Sequence, residues 1–147
     1  MADNGDSAMR LRFHHLGVVV DDIAARRPFY LGVLGYAIRT DVIHDPLQGA
    51  YVQFLALPGA DHYLELVAPD GPQSKLARAS KRGLPLHHVC YATPAIEASL
   101  RNLAEAGAMV IQDPVPAVAF DGRRIAWLVN DEGVLLELVE QGGPGEL

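Results

Sequence analysis

Cysteine is almost absent from this chain, which has a single one, Cys90, among 147 residues. A lone thiol cannot form an internal disulfide, and this agrees with a reducing compartment. Long apolar runs are also absent: none approaches the roughly 20 residues needed to cross a bilayer, and residues 1–12 lack the apolar core of a signal peptide. We therefore expect a cytoplasmic protein with no membrane-spanning segment.

Positive charge is scarce as well, since 12 lysines and arginines stand against 18 aspartates and glutamates, for a formal net charge of −6. Nucleic-acid binding requires a basic surface, so this balance argues against a nucleic-acid partner. An anionic ligand would have to be met by local basic clusters. Half of the residues are hydrophobic, which is enough to build one compact domain or two small fused modules.

The most informative feature that is present is an internal repeat. The segment FHHLGVV at residues 13–19 returns as LHHVCYA at residues 86–92, and 73 positions separate His15 from His88. The segment YLELV around Glu65 returns as LLELV around Glu137, 72 positions later. One single-residue insertion or deletion reconciles the two offsets. The chain therefore contains two copies of one unit, and each copy has a histidine on its opening strand and a glutamate on its closing strand.

Hydrophobic alternation and turn residues predict a strand, a helix and three further strands in each copy. Asp21 and Asp22 resemble a helix N-cap with Gly35 as the stop, and Pro28 should kink that helix or move its start to about residue 27. In the second copy Thr93 is the expected N-cap, with Pro94 in the first turn. The predicted strands lie at about 13–20, 36–43, 50–57 and 62–67, and at about 86–92, 109–112, 124–129 and 134–139, with a loop at 113–122.

These elements predict the domain organisation. We expect a disordered N-terminal tail at 1–12, a first βαβββ module at 13–68, a linker at 69–83 with a short basic helix at about 74–80, a second βαβββ module at 84–141, and a polar tail at 142–147.

Strand periodicity places Glu65 and Glu137 on faces that also carry bulky apolar side chains. A carboxylate in such surroundings is costly unless a charge or a metal compensates it. Two histidines and two glutamates, each central in a strand, supply four ligands if the two modules face each other. We predict one divalent ion, Zn, Ni, Co, Mn or Fe, held by His15, Glu65, His88 and Glu137; the absence of thiolate ligands argues against a closed structural zinc.

Plainer interpretations fit the remaining candidates. His14 and His87 point to the opposite strand face and are expected to pack or to lie at the surface, while His44 and His62 fall near turns and should be solvated. Trp127 is expected in the core, and Cys90 should behave as a small hydrophobic residue.

The paired units resemble the vicinal oxygen chelate superfamily, which includes glyoxalase I, methylmalonyl-CoA epimerase, extradiol dioxygenases and bleomycin-resistance proteins. The resemblance covers about residues 13–141, and segments 84–89, 122–128 and 133–139 are most similar to the epimerase branch. It implies an α+β fold in which two tandem βαβββ modules form an open barrel. It also implies the four metal ligands named above and proton abstraction next to a carbonyl, with Glu137 or Glu65 as the base and the ion stabilising a metal-bound enolate.

An acyl-CoA or similar thioester is the substrate that the epimerase resemblance implies. Gln53 matches a position where some epimerases carry a second carboxylate, and since an amide takes no proton at neutral pH, two-base epimerisation here would depend on Glu65. We predict substrate contacts from Gln53, from Lys81 and Arg82 to the phosphates, from Arg123 and Arg124 to a carboxylate, and from Phe120 over the pocket. A solvated surface is the alternative for the basic residues.

Three alternatives to an epimerase-like isomerase stay open. A glyoxalase I-like lactoylglutathione lyase uses similar chemistry. A metal-free binder of small antibiotics usually lacks the ligand quartet, and an extradiol dioxygenase needs two histidines and one glutamate, so an additional glutamate at position 65 speaks against it. Hydrophobic strand edges favour a homodimer.

Overall fold

The computed structural model describes residues 10–82 and 85–147. These residues form two compact units, one of residues 15–87 and the other of residues 10–14 with 88–147. Residues 1–9 of the tail predicted at 1–12 lie outside the described residues. The first strand begins at Arg12. Positions 83 and 84, where we expected the linker to meet the second module, are also outside them.

Strands and helices follow one another in the predicted order. The described residues contain strands β1 (Arg12–Val19), β2 (Ala37–Ile38), β3 (Ile43–Asp45), β4 (Ala50–Ala56), β5 (Tyr63–Pro69), β6 (Leu86–Thr93), β7 (Met109–Pro116), β8 (Arg124–Val129) and β9 (Leu135–Glu140), helices α1 (Ile23–Gly32), α2 (Leu76–Lys81) and α3 (Ile96–Glu105), and a 3-10 turn (Val118–Phe120).

Strand pairing has the same plan in both units. In one, β1 runs parallel to β5, β5 is antiparallel to β4, and β4 pairs with both β2 and β3. In the other, β6 runs parallel to β9, β9 is antiparallel to β8, and β8 is antiparallel to β7. The predicted α+β fold is confirmed, with a βαβββ plan that repeats because the sequence repeats.

One face of each sheet is covered by the helix of its own unit. Leu64 and Leu66 of β5 pack with Ile23 of α1, and Leu128 and Leu138 pack with the buried side of α3. Because side chains alternate along a strand, Glu65, which lies between Leu64 and Leu66, points to the face that the helix does not cover. This alternation sorts each unit into a helix-covered apolar face and a face that carries its histidine and glutamate.

The two longer helices differ in how well their starts were predicted. Asp22 is the N-cap of α1, as expected, and its carboxylate accepts a hydrogen bond from the backbone N–H of Ala25 at 2.9 Å. The helix begins at Ile23 and contains Pro28, so the alternative in which the helix starts near residue 27 is wrong. The prediction of Thr93 as N-cap is wrong: α3 begins at Ile96 because Thr93 still belongs to β6, where its hydroxyl lies 2.6 Å from that of Ser99.

Two strand predictions also need correction. The expected strand at 36–43 is divided into β2 and β3, which both pair with β4. The expected loop at 113–122 begins only after Pro116, because β7 continues through Pro114 with two shifts of register against β8. Proline lacks a backbone N–H, and it is tolerated here because β7 pairs on one side only among the described residues.

Candidate active site

The unit of residues 15–87 contains a buried histidine–glutamate pair. Parallel pairing of β1 with β5 sets Gly17 opposite Glu65, which brings the imidazole two residues earlier, on the same face, to the carboxylate. His15 Nε2 lies 3.3 Å from Glu65 Oε1. The side chain of His15 is completely buried and that of Glu65 nearly so. A polar pair in this setting is stable only if each group satisfies the other or a shared ligand.

The unit that contains residues 88–147 repeats this arrangement. Parallel pairing sets Cys90 opposite Glu137, so His88 occupies the same position relative to its glutamate as His15 does. His88 Nε2 lies 3.2 Å from Glu137 Oε1, and both side chains are buried. The repeat seen in the sequence is therefore a repeat of local geometry.

The donor set in each pair fits a divalent metal ion. Imidazole nitrogen and carboxylate oxygen are the usual ligands of zinc and its neighbours, at about 2.0–2.2 Å from the ion. Two such ligands on one ion at roughly right-angled to tetrahedral geometry lie about 3.0–3.4 Å apart. The separations of 3.3 Å and 3.2 Å between nitrogen and oxygen fall in this range. The same separations let the imidazole and the carboxylate contact each other directly, so each pair is compatible with the metal-free and the metal-bound protein.

An aromatic ring borders each pair, a feature that was not predicted from the sequence. Phe54 of β4 lies opposite Glu65 in register, and its ring centroid is 5.1 Å from that of His15. Trp127 of β8 lies opposite Glu137, with its ring 4.8 Å from that of His88. We expected Trp127 to be a core residue only. The available signal was the offset, because positions 54 and 127 are also 73 apart.

Gln53 lies on the other face of β4. It pairs in register with Leu66, whereas its neighbour Phe54 pairs with Glu65. Its amide oxygen accepts a 2.7 Å hydrogen bond from Arg27 of α1, and its amide nitrogen donates to the backbone carbonyl of Thr40. One position along a strand reverses the face, so Gln53 does not share the face of Glu65. The substrate-binding role of Gln53 stays a prediction.

Arg124 is held by two carboxylates. Its guanidinium lies 2.7 Å from Glu97 Oε1 and 2.8 Å from Glu140 Oε2. Hydrogen bonding to Arg124 lowers the pKa of both Glu97 and Glu140, and the two acids raise the pKa of the arginine. The substrate-binding role of Arg124 stays a prediction, and it would require the guanidinium to leave a carboxylate.

This ion pair predicts a pH-dependent contribution to stability. Because the folded-state pKa of Glu140 lies below its ordinary value of 4.5, the contribution is fully present above about pH 4.5 and is lost as the pH falls through the folded-state pKa. We expect Glu140→Gln to lower the free energy of unfolding at pH 7, and the difference from wild type to shrink below pH 4. Urea unfolding at both pH values measures this; a difference that grows in acid would contradict it.

The other predicted substrate contacts occupy different places. Arg123 donates hydrogen bonds to the backbone carbonyls of Phe120 and Glu140 and lies over the Phe120 ring at 5.4 Å. Phe120 itself is buried. Lys81 and Arg82 are exposed at the end of α2. Arg123 and Phe120 thus belong to a packed corner, whereas Lys81 and Arg82, at the end of α2, are open to solvent.

The remaining histidines agree with their plainer interpretations. His14 is buried and packs edge-on against Phe120 at 5.4 Å. His44 lies 3.0 Å from Asp70 and His62 lies 3.2 Å from Asp61, with nearly half of each imidazole exposed. Among residues 10–82 and 85–147, no helix is long and apolar enough to cross a membrane.

Comparison with known proteins gives consistent matches along the chain. The sequence profile of the Glyoxalase/Bleomycin resistance protein/Dioxygenase superfamily matches residues 14–127. Methylmalonyl-CoA epimerase from Bos taurus mitochondria is 28% identical over 131 residues, which cover 86% of this chain and 73% of that protein. The crystal structure of BH1468 from Bacillus halodurans has a TM-score of 0.81 at 29% identity, over 94% of this chain and 99% of that one. Methylmalonyl-CoA epimerase from Mycobacterium tuberculosis has a TM-score of 0.75 at 25% identity, over 89% and 88%.

Proposed function

The chain belongs to the Glyoxalase/Bleomycin resistance protein/Dioxygenase superfamily, and on that basis we propose that it is a metal-dependent, methylmalonyl-CoA epimerase-like isomerase. The reaction would remove a proton next to the carbonyl of an acyl-CoA thioester and return it to the opposite face. The observation that carries the proposal is the buried histidine–glutamate pair, which occurs once in each unit with the same register and nearly the same distance.

The proposed ligands are His15, Glu65, His88 and Glu137, acting together on one ion. Their chemistry supports this, since two imidazoles and two carboxylates without thiolate suit Zn, Ni, Co, Mn or Fe. The repeat supports it as well, because both copies of the unit carry the same histidine–glutamate pair, as expected if the two pairs bind a common ion. When bound, the ion supplies Lewis-acid stabilisation of negative charge on substrate oxygen.

The proton transfers are assigned to the two glutamates. A carboxylate has two oxygens, so one can serve as a ligand while the other accepts a proton. Glu65 and Glu137 are buried carboxylates on the uncovered faces of their units. We assign one face of the α-carbon to each of them. This makes Glu65 necessary to the proposed two-base epimerisation.

The CoA part of the substrate requires cations outside the acid–base site. Lys81 is the last residue of α2 and Arg82 follows it. Both are solvent-exposed, as is Arg78 in the last turn of the same helix. Phosphate oxygens accept hydrogen bonds from such side chains, and the overall negative charge of the chain makes a local basic cluster the place to bind them. We propose Lys81 and Arg82 as phosphate contacts; the contacts from Arg123, Arg124 and Phe120 stay predictions.

The proposal is tested with protein purified without added metal. Its metal content is measured first, and the protein is then incubated with methylmalonyl-CoA in D2O. We expect one divalent ion for each chain and deuterium at the α-carbon. Activity with the hemithioacetal of glutathione and none with the thioester would move the assignment to a glyoxalase I-like lyase. Iron-dependent oxygen uptake with a catechol would favour a dioxygenase, and binding of an antibiotic without metal would favour a sequestering protein.

We further propose a cytoplasmic homodimer. Large apolar side chains are exposed on both units, including Phe29 and Val33 at the end of α1 and Met109 and Ile111 on β7. Exposed apolar residues along an edge strand favour association with another chain. Light scattering at micromolar concentration should give twice the mass of one chain, 15.9 kDa. A mass of one chain would contradict the prediction.

A further inference from the structure

The two aromatic rings beside the histidines occupy equivalent positions. Phe54 and Trp127 are each on the strand next to the closing strand of their unit, directly opposite the glutamate. Each ring meets its histidine edge-on, at interplanar angles of 78° and 81°. The same register and similar distances and angles in two units with different ring types are consistent with a shared requirement at this position.

Imidazole orientation is the property that such a ring controls. The terminal torsion of histidine is broad, so a buried strand position alone does not set the plane of the ring. A nitrogen lone pair lies in that plane, and a metal ligand must therefore hold the plane within a narrow range. A flat aromatic group at about 5 Å prevents the imidazole from rotating, because rotation would drive its edge into the neighbouring ring.

The two rings are separate from the helix-covered cores. The residues next to them, Leu55 and Leu128, belong to the apolar clusters under α1 and α3, whereas Phe54 and Trp127 face the other way with the glutamates. Removing a ring therefore perturbs the histidine, and removing the adjacent leucine perturbs the helix packing. This difference separates positioning from general stability.

We infer that Phe54 and Trp127 are positioning residues that hold the imidazole planes of His15 and His88 for metal binding. The inference rests on the proposed metal site, and it assigns to the rings a role that the ligands cannot perform themselves. Loss of an outer-shell partner typically weakens metal binding by about 10- to 100-fold. We expect a loss of about 10-fold for each ring replaced by leucine, within that range.

Cobalt(II) provides the test, because its visible absorption spectrum reports ligand geometry. The full chain is titrated with Co2+ as wild type, Phe54→Leu and Trp127→Leu, with Leu55→Ala and Leu128→Ala, at the neighbouring buried positions, as controls. We expect weaker binding and an altered spectrum for the ring variants, and wild-type binding and spectrum for folded controls. Trp127→Phe keeps a ring and should restore both, which covers the case that Trp127→Leu does not fold.

Trp127 is the only tryptophan of the chain, so its fluorescence reports on its own half of the site. Co2+ should quench it in wild type and in Phe54→Leu, at higher Co2+ concentration in the variant. A wild-type protein that binds no Co2+ would overturn the proposed metal site itself. Wild-type Co2+ binding with unchanged affinity and spectrum in both leucine variants would overturn the inference alone.

Discussion

His88→Ala is expected to lower the rate of α-proton exchange by at least about 100-fold. Loss of an outer-shell partner already costs a metal site up to about 100-fold in metal affinity or activity, and loss of a ligand should cost at least as much. The substitution removes one proposed ligand and leaves Glu137 buried without the imidazole that lies 3.2 Å away. Metal content should fall with the exchange rate, because both depend on the same nitrogen. Deuterium incorporation at the α-carbon of methylmalonyl-CoA and metal analysis measure the two effects.

The matched control for this variant is His62→Ala. His62 is an imidazole of the same chain, but it is nearly half exposed and lies beside a surface aspartate. Its loss should leave both metal content and exchange at wild-type levels. Exchange that persists in His88→Ala would rule out an enolate stabilised at this site, and equal losses in both variants would point to a general defect in folding.

Glu65→Gln and Glu137→Gln are each expected to lower the epimerisation rate by at least about 100-fold, within the 10²- to 10⁴-fold contribution of a positioned general base. Glutamine keeps the size of the side chain and one oxygen, but it cannot accept a proton. In a two-base reaction each base serves one face of the α-carbon. Each variant should therefore still exchange the α-proton of one enantiomer while failing to convert it into the other.

Enantiomerically pure methylmalonyl-CoA in D2O distinguishes these cases, with exchange followed by mass spectrometry and inversion by chiral analysis. Glu132→Gln, on the exposed turn before β9, is the control and should behave as wild type. Epimerisation at the wild-type rate in Glu65→Gln would remove Glu65 from the acid–base chemistry and leave it as a ligand at most. Loss of all exchange in both variants would favour a single base that serves both faces.

The residues of the site differ in how far sequence alone could find them. The histidines and glutamates proposed as ligands were selected because a repeat with fixed offsets singles out equivalent positions in the two copies. Phe54 and Trp127 share the offset of 73, but a phenylalanine and a tryptophan in apolar strands are ordinary core residues. Only their proximity to the histidines in the folded structure distinguishes them from other core residues. The residue type alone was insufficient to identify these two rings as neighbours of the histidines.

Strand register separates the roles of two neighbouring residues. Gln53 and Phe54 are adjacent in sequence, but only one of them can share the face of Glu65. The hydrogen-bond ladder between β4 and β5 decides which side chain faces Glu65, and the ladder depends on partners that are far away along the chain. Arg124 is a similar case, because its carboxylate partners come from α3 and β9.

The amino-acid sequence by itself determined the duplication, the βαβββ plan, the faces of β5 and β9, and the choice of the four side chains proposed to bind metal. Alternation and repetition are properties of position along the chain, so no tertiary contact is needed to recognise them. Tertiary structure decided which strands extend through prolines, where α3 begins, which way Gln53 turns and which carboxylates hold Arg124. These depend on contacts between distant segments, whose energies follow from packing and pairing in three dimensions and not from local spacing.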